Sequence, residues 1–150
     1  MKYKKLIDHL NNQIETLNRL KPIVKYQQEA LVGNSLEGLD EAVKQEDILL
    51  SKIKGEQMML KEILQKINCD ENLGMKEIRL TEFISLKAKE ESAELKTLST
   101  LKNRIENLVK EIIGINLQNN FLINHARFLI KEIISAAAAS PNNVLLDRRM

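Results

Sequence analysis

The chain is poor in everything that punctuates or staples a fold. It has five glycines and two prolines in 150 residues, so turns are few and regular elements must be long. Aromatic residues make up 3% and there is no tryptophan. A β-sandwich or barrel needs frequent turn residues and alternating β-branched or aromatic positions, and neither pattern is present. A single cysteine, Cys69, excludes an internal disulfide and is consistent with a reducing compartment. No apolar run approaches the roughly 20 residues needed to cross a bilayer. The segment Met1-Lys2-Tyr3-Lys4-Lys5-Leu6-Ile7-Asp8-His9 lacks the apolar stretch of a signal peptide, and the expected location is cytoplasmic.

An excess of one charge is also missing. Lys and Arg number 23 against 21 Asp and Glu, a net charge of +2. A nucleic-acid binder presents a basic stripe, whereas here the lysines alternate with glutamates at helical spacing, as a solvated helix face does. Catalytic and ligand-binding constellations are likewise absent. His9 and His125 have no Glu three positions before them, so the Glu-x-x-His set of di-iron bundles is not formed. Cys69 stands in a polar stretch without a sequence-adjacent histidine. The glycines are at least five positions apart, which excludes a phosphate-cradling loop. We expect no cofactor, no metal and no catalysis.

What the chain does have is helical periodicity. The expected fold is all-α: long antiparallel helices forming a three-helix bundle or coiled coil with one short extra helix, a single domain over 1–140 and a flexible tail over 141–150. Ile7, Leu10, Ile14, Leu17, Val24 and Leu31 recur at spacings of three, four and seven, with Leu6, Leu20 and Ile23 widening the stripe. Pro22 removes a backbone hydrogen bond, so a kink is expected near Asn18–Pro22 in a helix that otherwise stays in phase. Gly33-Asn34-Ser35 reads as a break, with Gly33 in the left-handed conformation and Asn34 or Ser35 capping the next helix. That second helix spans about Leu36–Asn68, with a seam of Leu39, Val43, Leu49 or Leu50, Ile53, Leu60, Leu64 and Ile67. Glu46 and Gln57 near the seam predict loose packing there. After a break at Cys69–Gly74, Glu77–Leu86 reads as a short helix with Thr81 as its cap, then a joint at residues 88–91. Pro141 ends the final helix, and Val144-Leu145-Leu146 is an apolar cluster within the tail.

The last helix, over roughly residues 92–137, is the strongest signal. Leu98, Leu101, Ile105, Leu108, Ile112, Ile115, Asn119, Leu122, Ala126, Leu129 and Ile133 alternate spacings of three and four without interruption, a heptad seam with one polar member. An Asn in such a seam fixes register at some cost in stability. Between Ile112 and Ile134 the helix is apolar beyond one stripe. Ile113, Ile123, Ile130 and Ile134 form a neighbouring row, and Leu117, Phe121 and Phe128 a third, holding two of the three phenylalanines. A helix facing one core needs a stripe of about 100°. The surplus is explained by a central helix packed on several sides by its own partners, or by a face for another protein's amphipathic helix. Self-association through this helix reconciles the two.

The segment Ile115-Asn116-Leu117-Gln118-Asn119-Asn120-Phe121-Leu122-Ile123-Asn124-His125-Ala126 resembles the FlgN-like flagellar export chaperones. That family's pattern has two Asn three apart, then paired aliphatics and a small residue one turn further, here Asn116, Asn119, Leu122, Ile123 and Ala126. Arg127 stands where the family usually has an aliphatic residue and Leu129 where it has an aromatic, with Phe128 displaced by one. The order of two long helices, a short helix near Leu80-Thr81-Glu82-Phe83-Ile84 and a long last helix is similar as well. The resemblance implies a cytoplasmic chaperone that binds the C-terminal helices of the hook–filament junction proteins FlgK and FlgL for type III export. It places the binding surface on the last helix. Joined to the apolar rows, the candidate residues are Ile112, Ile115, Asn116, Asn119, Phe121, Leu122, Ile123, Ala126, Phe128, Leu129 and Ile130. The alternative from periodicity alone is a helical coiled-coil adaptor or a structural oligomer without a client.

Overall fold

The computed structural model describes residues 2–138, which form four helices: α1 (Lys4–Val32), α2 (Leu36–Asp70), α3 (Leu80–Leu86) and α4 (Ala93–Ala138). The tail at 141–150, with Pro141 and Val144–Leu146, lies outside the described residues. No strand occurs among those described, and none of their helices is long and apolar enough to cross a membrane.

The α1–α2 hairpin turns where expected, with a different residue bearing the left-handed conformation. Gly33 has φ −85° and Asn34 takes φ +56°. Asn tolerates that region because its short polar side chain hydrogen-bonds locally. Ser35 caps α2, its hydroxyl accepting the Gly38 N–H at 3.1 Å. Pro22 lies inside an uninterrupted α1. It is exposed, as is Asn18, whose carbonyl loses its partner to the proline, so water can serve that carbonyl. Buried Leu17, Leu20 and Val24 keep the helix seated on both sides of it.

α2 runs antiparallel to α1, bringing His9 to Glu56 and Lys2 to Glu71. α4 returns parallel to α1, so that Tyr3 meets Glu94, Lys21 pairs with Glu111 and Gln28 meets Gln118 in the same order along both chains. α1 packs against both α2 and α4 and is therefore the central helix, a place the sequence pattern offered to α4. Its stripe is wide because polar side chains extend it. Thr16 donates to the Glu56 carboxylate at 3.1 Å, and His9 Nε2 donates to the Glu56 carbonyl at 2.8 Å. α2 is loosely held in its middle: Leu49 and Ile53 are only half-buried, and Leu50 faces solvent.

The polypeptide between α2 and α3 is anchored by Asn68, whose buried amide both donates to the Met75 carbonyl and accepts its N–H. Gly74 has φ +69°, a conformation that a side chain would strain. α3 is shorter than expected. Thr81 is its second residue and Arg79 holds the N-cap position. The joint follows at Lys87–Ser92, and the Ser92 hydroxyl accepts the Leu95 N–H to start α4.

All four helices converge at one end. Phe83 of α3 is fully buried among Leu6, Leu10, Leu64, Ile78, Leu95 and Leu98, edge-on to Tyr3 at 5.3 Å. A polar cluster closes this end. Glu71 at the end of α2 pairs with Lys87 at the end of α3 (2.7 Å) and with Lys2, and accepts the Tyr3 hydroxyl at 3.1 Å. Burial, with the Glu71 carboxylate beside it, pushes the Tyr3 phenol up to about 12. At Glu71 burial opposes ionisation, but Lys87, Tyr3 and Lys2 outweigh it and hold the carboxyl below its usual range. The bond to Glu71 in turn raises Lys87.

Candidate functional site on the free end of the last helix

An α-helix rises about 1.5 Å per residue. α4 has 46 residues and α1 has 29, and their parallel pairing starts almost level, at Tyr3 and Glu94. The hairpin therefore runs out before α4 does. Gln28 faces Gln118, and α1 ends one turn later. From about Leu122 to Ala138, α4 continues for roughly 25 Å with no other helix beside it among the described residues.

That geometry divides the eleven candidate residues. Ile112 is buried in the α1–α4 core with Ile14, Leu17, Leu20, Val24 and Leu108, and half-buried Ile115 packs against the same cluster. Asn119 is also buried, 3% exposed, and its side-chain N–H donates to the Val24 carbonyl at 3.0 Å. Ile112 and Asn119 thus face α1 in the isolated chain rather than a free surface. Asn116, Leu122 and Ile123 are half-buried at the boundary. Phe121, Ala126, Phe128, Leu129 and Ile130 are exposed, as is Ile133. The heptad seam is a single pattern in the sequence, yet it is packed up to Asn119 and, among the described residues, exposed at Ala126, Leu129 and Ile133.

A second apolar row lies on a different side of α4. Ile113, Leu117, Phe121 and Phe128 recur at spacings of four, four and seven, and every one is more than half exposed. The Phe121 ring stacks on His125 one turn further, at 6.0 Å and nearly parallel. Beside this row is a shallow depression of about 440 Å³ lined by Gln28 of α1 and Leu117, Gln118, Phe121 and Leu122 of α4. Leu117 belongs to the surface although the motif pointed elsewhere; the spacing of its row was the available signal. Gln28 and Gln118 carried no signal, because an exposed glutamine on a helix is unremarkable until its neighbour is known.

Electrostatics at this end are sparse. Lys21 pairs with Glu111 and, beside it, holds that carboxyl below the usual carboxylate range. Arg127, Lys131 and Glu132 are the only Lys, Arg, Asp or Glu residues over residues 120–136. No group of acidic, histidine or cysteine side chains suited to a metal occurs among the described residues. What the surface can do chemically is bury apolar area.

A family model described as FlgN protein matches residues 1–145. No curated protein and no solved structure matches the chain.

Proposed function

The chain belongs to the FlgN family of flagellar export chaperones, and from that premise we propose that it acts in the cytoplasm on the C-terminal helices of hook–filament junction proteins of the FlgK and FlgL type, holding them on the free end of α4 until export. The observation that carries this reading is the overhang: α4 outruns the α1–α2 hairpin and keeps its apolar seam exposed through Ala126, Leu129 and Ile133. An amphipathic client helix laid on Leu122, Ala126, Leu129 and Ile133 continues the packing that α1 supplies further down.

The energetics suit a protein that must let go. Burying on the order of 400 Å² of apolar surface contributes about 10 kcal/mol gross at 25 cal/mol per Å². Association and ordering offset most, but not all, of that gain. A moderate net affinity follows, with the client's own aggregation-prone stripe covered while it is bound. No nucleotide or metal enters this scheme.

The test is co-expression with the C-terminal helical fragments of FlgK and FlgL. A stoichiometric complex is expected with at least one of them, and Leu129→Asp, on an exposed position, should abolish it without lowering the melting temperature. Absence of a complex with both fragments refutes the reading.

A further inference from the structure

We propose that the docking surface is composite, and that the last turn of α1, through Gln28 and Val32, joins Leu117, Phe121 and Leu122 of α4 in a notch that receives the leading end of the client helix. This rests on the reading above and adds where the client stops.

Three observations converge on the notch. The first is its construction from two helices. Gln28 Nε2 donates to Gln118 Oε1 at 2.8 Å across the α1–α4 boundary, and the depression opens beside that bond. The Gln118 amide keeps both of its N–H groups for a partner, since only its oxygen is engaged in that bond. Val32 follows Gln28 by one turn on the same face of α1 and is 69% exposed. Leu117 and Phe121 opposite are 63% and 67% exposed. Leu117 and Phe121 thus line the depression beside the polar bridge, and Val32 follows one turn beyond it along α1.

The second is how α1 ends. Carbonyls in the last turn of a helix ordinarily seek donors. Here Glu29 O accepts the Gly33 N–H, Ala30 O the Ser35 N–H and Leu31 O the Asn34 N–H. Those three carbonyls are engaged within the turn, and the Val32 side chain stands exposed at the helix end. A blunt end with an exposed apolar side chain, and with the carbonyls before it already engaged, is a stop for another helix.

The third is continuity with the existing interface. α1 covers the α4 seam up to Asn119, and the same three-four spacing runs on through Leu122, Ala126, Leu129 and Ile133. A helix following the path of α1 buries the remainder of one stripe and meets the end of α1 in doing so. The length left free, roughly 25 Å, takes a helix of about four or five turns. The occupant is therefore an amphipathic client helix of about 17 residues. Its leading turn carries a bulky apolar side chain for Leu117, Phe121 and Val32 and an acceptor for the Gln118 amide.

The experiment is isothermal titration of the full chain with the FlgK or FlgL C-terminal fragment, using Leu117→Asp and Val32→Asp, with Leu129→Asp as the control on the overhang. All three positions are exposed, and circular dichroism melting confirms that each variant folds. Both notch variants are expected to weaken binding at least about tenfold. A client fragment lacking its leading turn should bind more weakly to the unsubstituted chain and show no further loss with Val32→Asp. If both notch variants bind within twofold of the unsubstituted chain while Leu129→Asp abolishes binding, the client uses α4 alone; the notch is refuted and the chaperone reading stands. If the notch variants change only the mass of the free chain by light scattering, the notch is a contact between copies and the proposal also fails. No binding of either fragment to the unsubstituted chain overturns both.

Discussion

The two ends of the molecule are built from the same kinds of residue and do opposite things with them. At the closed end, Phe83, Leu6, Leu10 and Leu98 are fully buried, and the Glu71–Lys87–Tyr3 cluster seals the exit. At the open end, Phe121, Phe128, Leu129 and Ile133 remain in water. Local sequence does not distinguish them: both are Leu-, Ile- and Phe-rich helices with heptad-like spacing. The difference is the number of helices present at each level. Among the described residues four helices meet at the closed end and one persists at the open end, so equal hydrophobicity becomes stability in one place and an exposed surface in the other.

The comparison can be broken most directly at the phenylalanines. Phe83→Ala empties a fully buried site and should lower stability by about 3–5 kcal/mol in chemical denaturation. Phe128→Ala, at 58% exposure, should change it by no more than about 0.5 kcal/mol while weakening client capture. Equal losses at both positions would mean that the open end is covered in the free protein.

The polar cluster comes next in size. Glu71→Gln removes the charge that Lys87, Lys2 and Tyr3 share and should cost roughly 1–3 kcal/mol at neutral pH. The cluster also gives a pH signature. Because the folded protein holds Glu71 below its ordinary carboxyl value of 4.5, its contribution is present above that value and is lost as pH falls through the lower folded one. Tyr3 and Lys87 are raised, so theirs is present below the ordinary values and is lost as pH climbs through the folded ones, for Tyr3 between 10 and about 12. Melting curves of Tyr3→Phe should lack the tyrosine part of that alkaline limb.

Smaller effects lie along α4 between the two ends. Asn119 is buried in the seam with its side-chain oxygen unpaired, and its amide bonds to Val24. Asn119→Leu should therefore raise stability by roughly 1 kcal/mol. It should also loosen the register between α1 and α4, readable as a broader distribution of distances between spin labels on the two helices. Gly114→Ala is the mildest change. A Cβ there meets nothing within 4 Å, so helix propensity alone should add up to about 1 kcal/mol at the melting transition.

Much of this architecture was legible in advance. Few glycines and prolines with sustained three-four spacing left little besides long helices, and Gly33–Ser35 and Cys69–Gly74 were readable as breaks by their turn residues. Details of local stereochemistry were harder. Asn34 rather than Gly33 took the left-handed conformation, and Arg79 rather than Thr81 began α3, because several residues in each stretch satisfy the same turn chemistry. The closed-end cluster was invisible: Tyr3, Glu71 and Lys87 are separated by tens of residues and are ordinary in their local contexts. The candidate surface was half legible. Periodicity identified the apolar faces of α4, but it treated Ile112 and Asn119 as equivalent to Leu129, and only the packing of α1 separates them.

The sequence by itself determined the helices, their breaks and the apolar stripes of α4, because helix periodicity is a local property of 3.6 residues per turn. Only the tertiary structure decided that α1 is central, that α4 runs parallel to it and that the seam loses its partner after Asn119. Those facts depend on where one helix ends alongside another. Spacing within a helix says which face seeks a partner; how far the partner reaches is settled by chain length and register between helices.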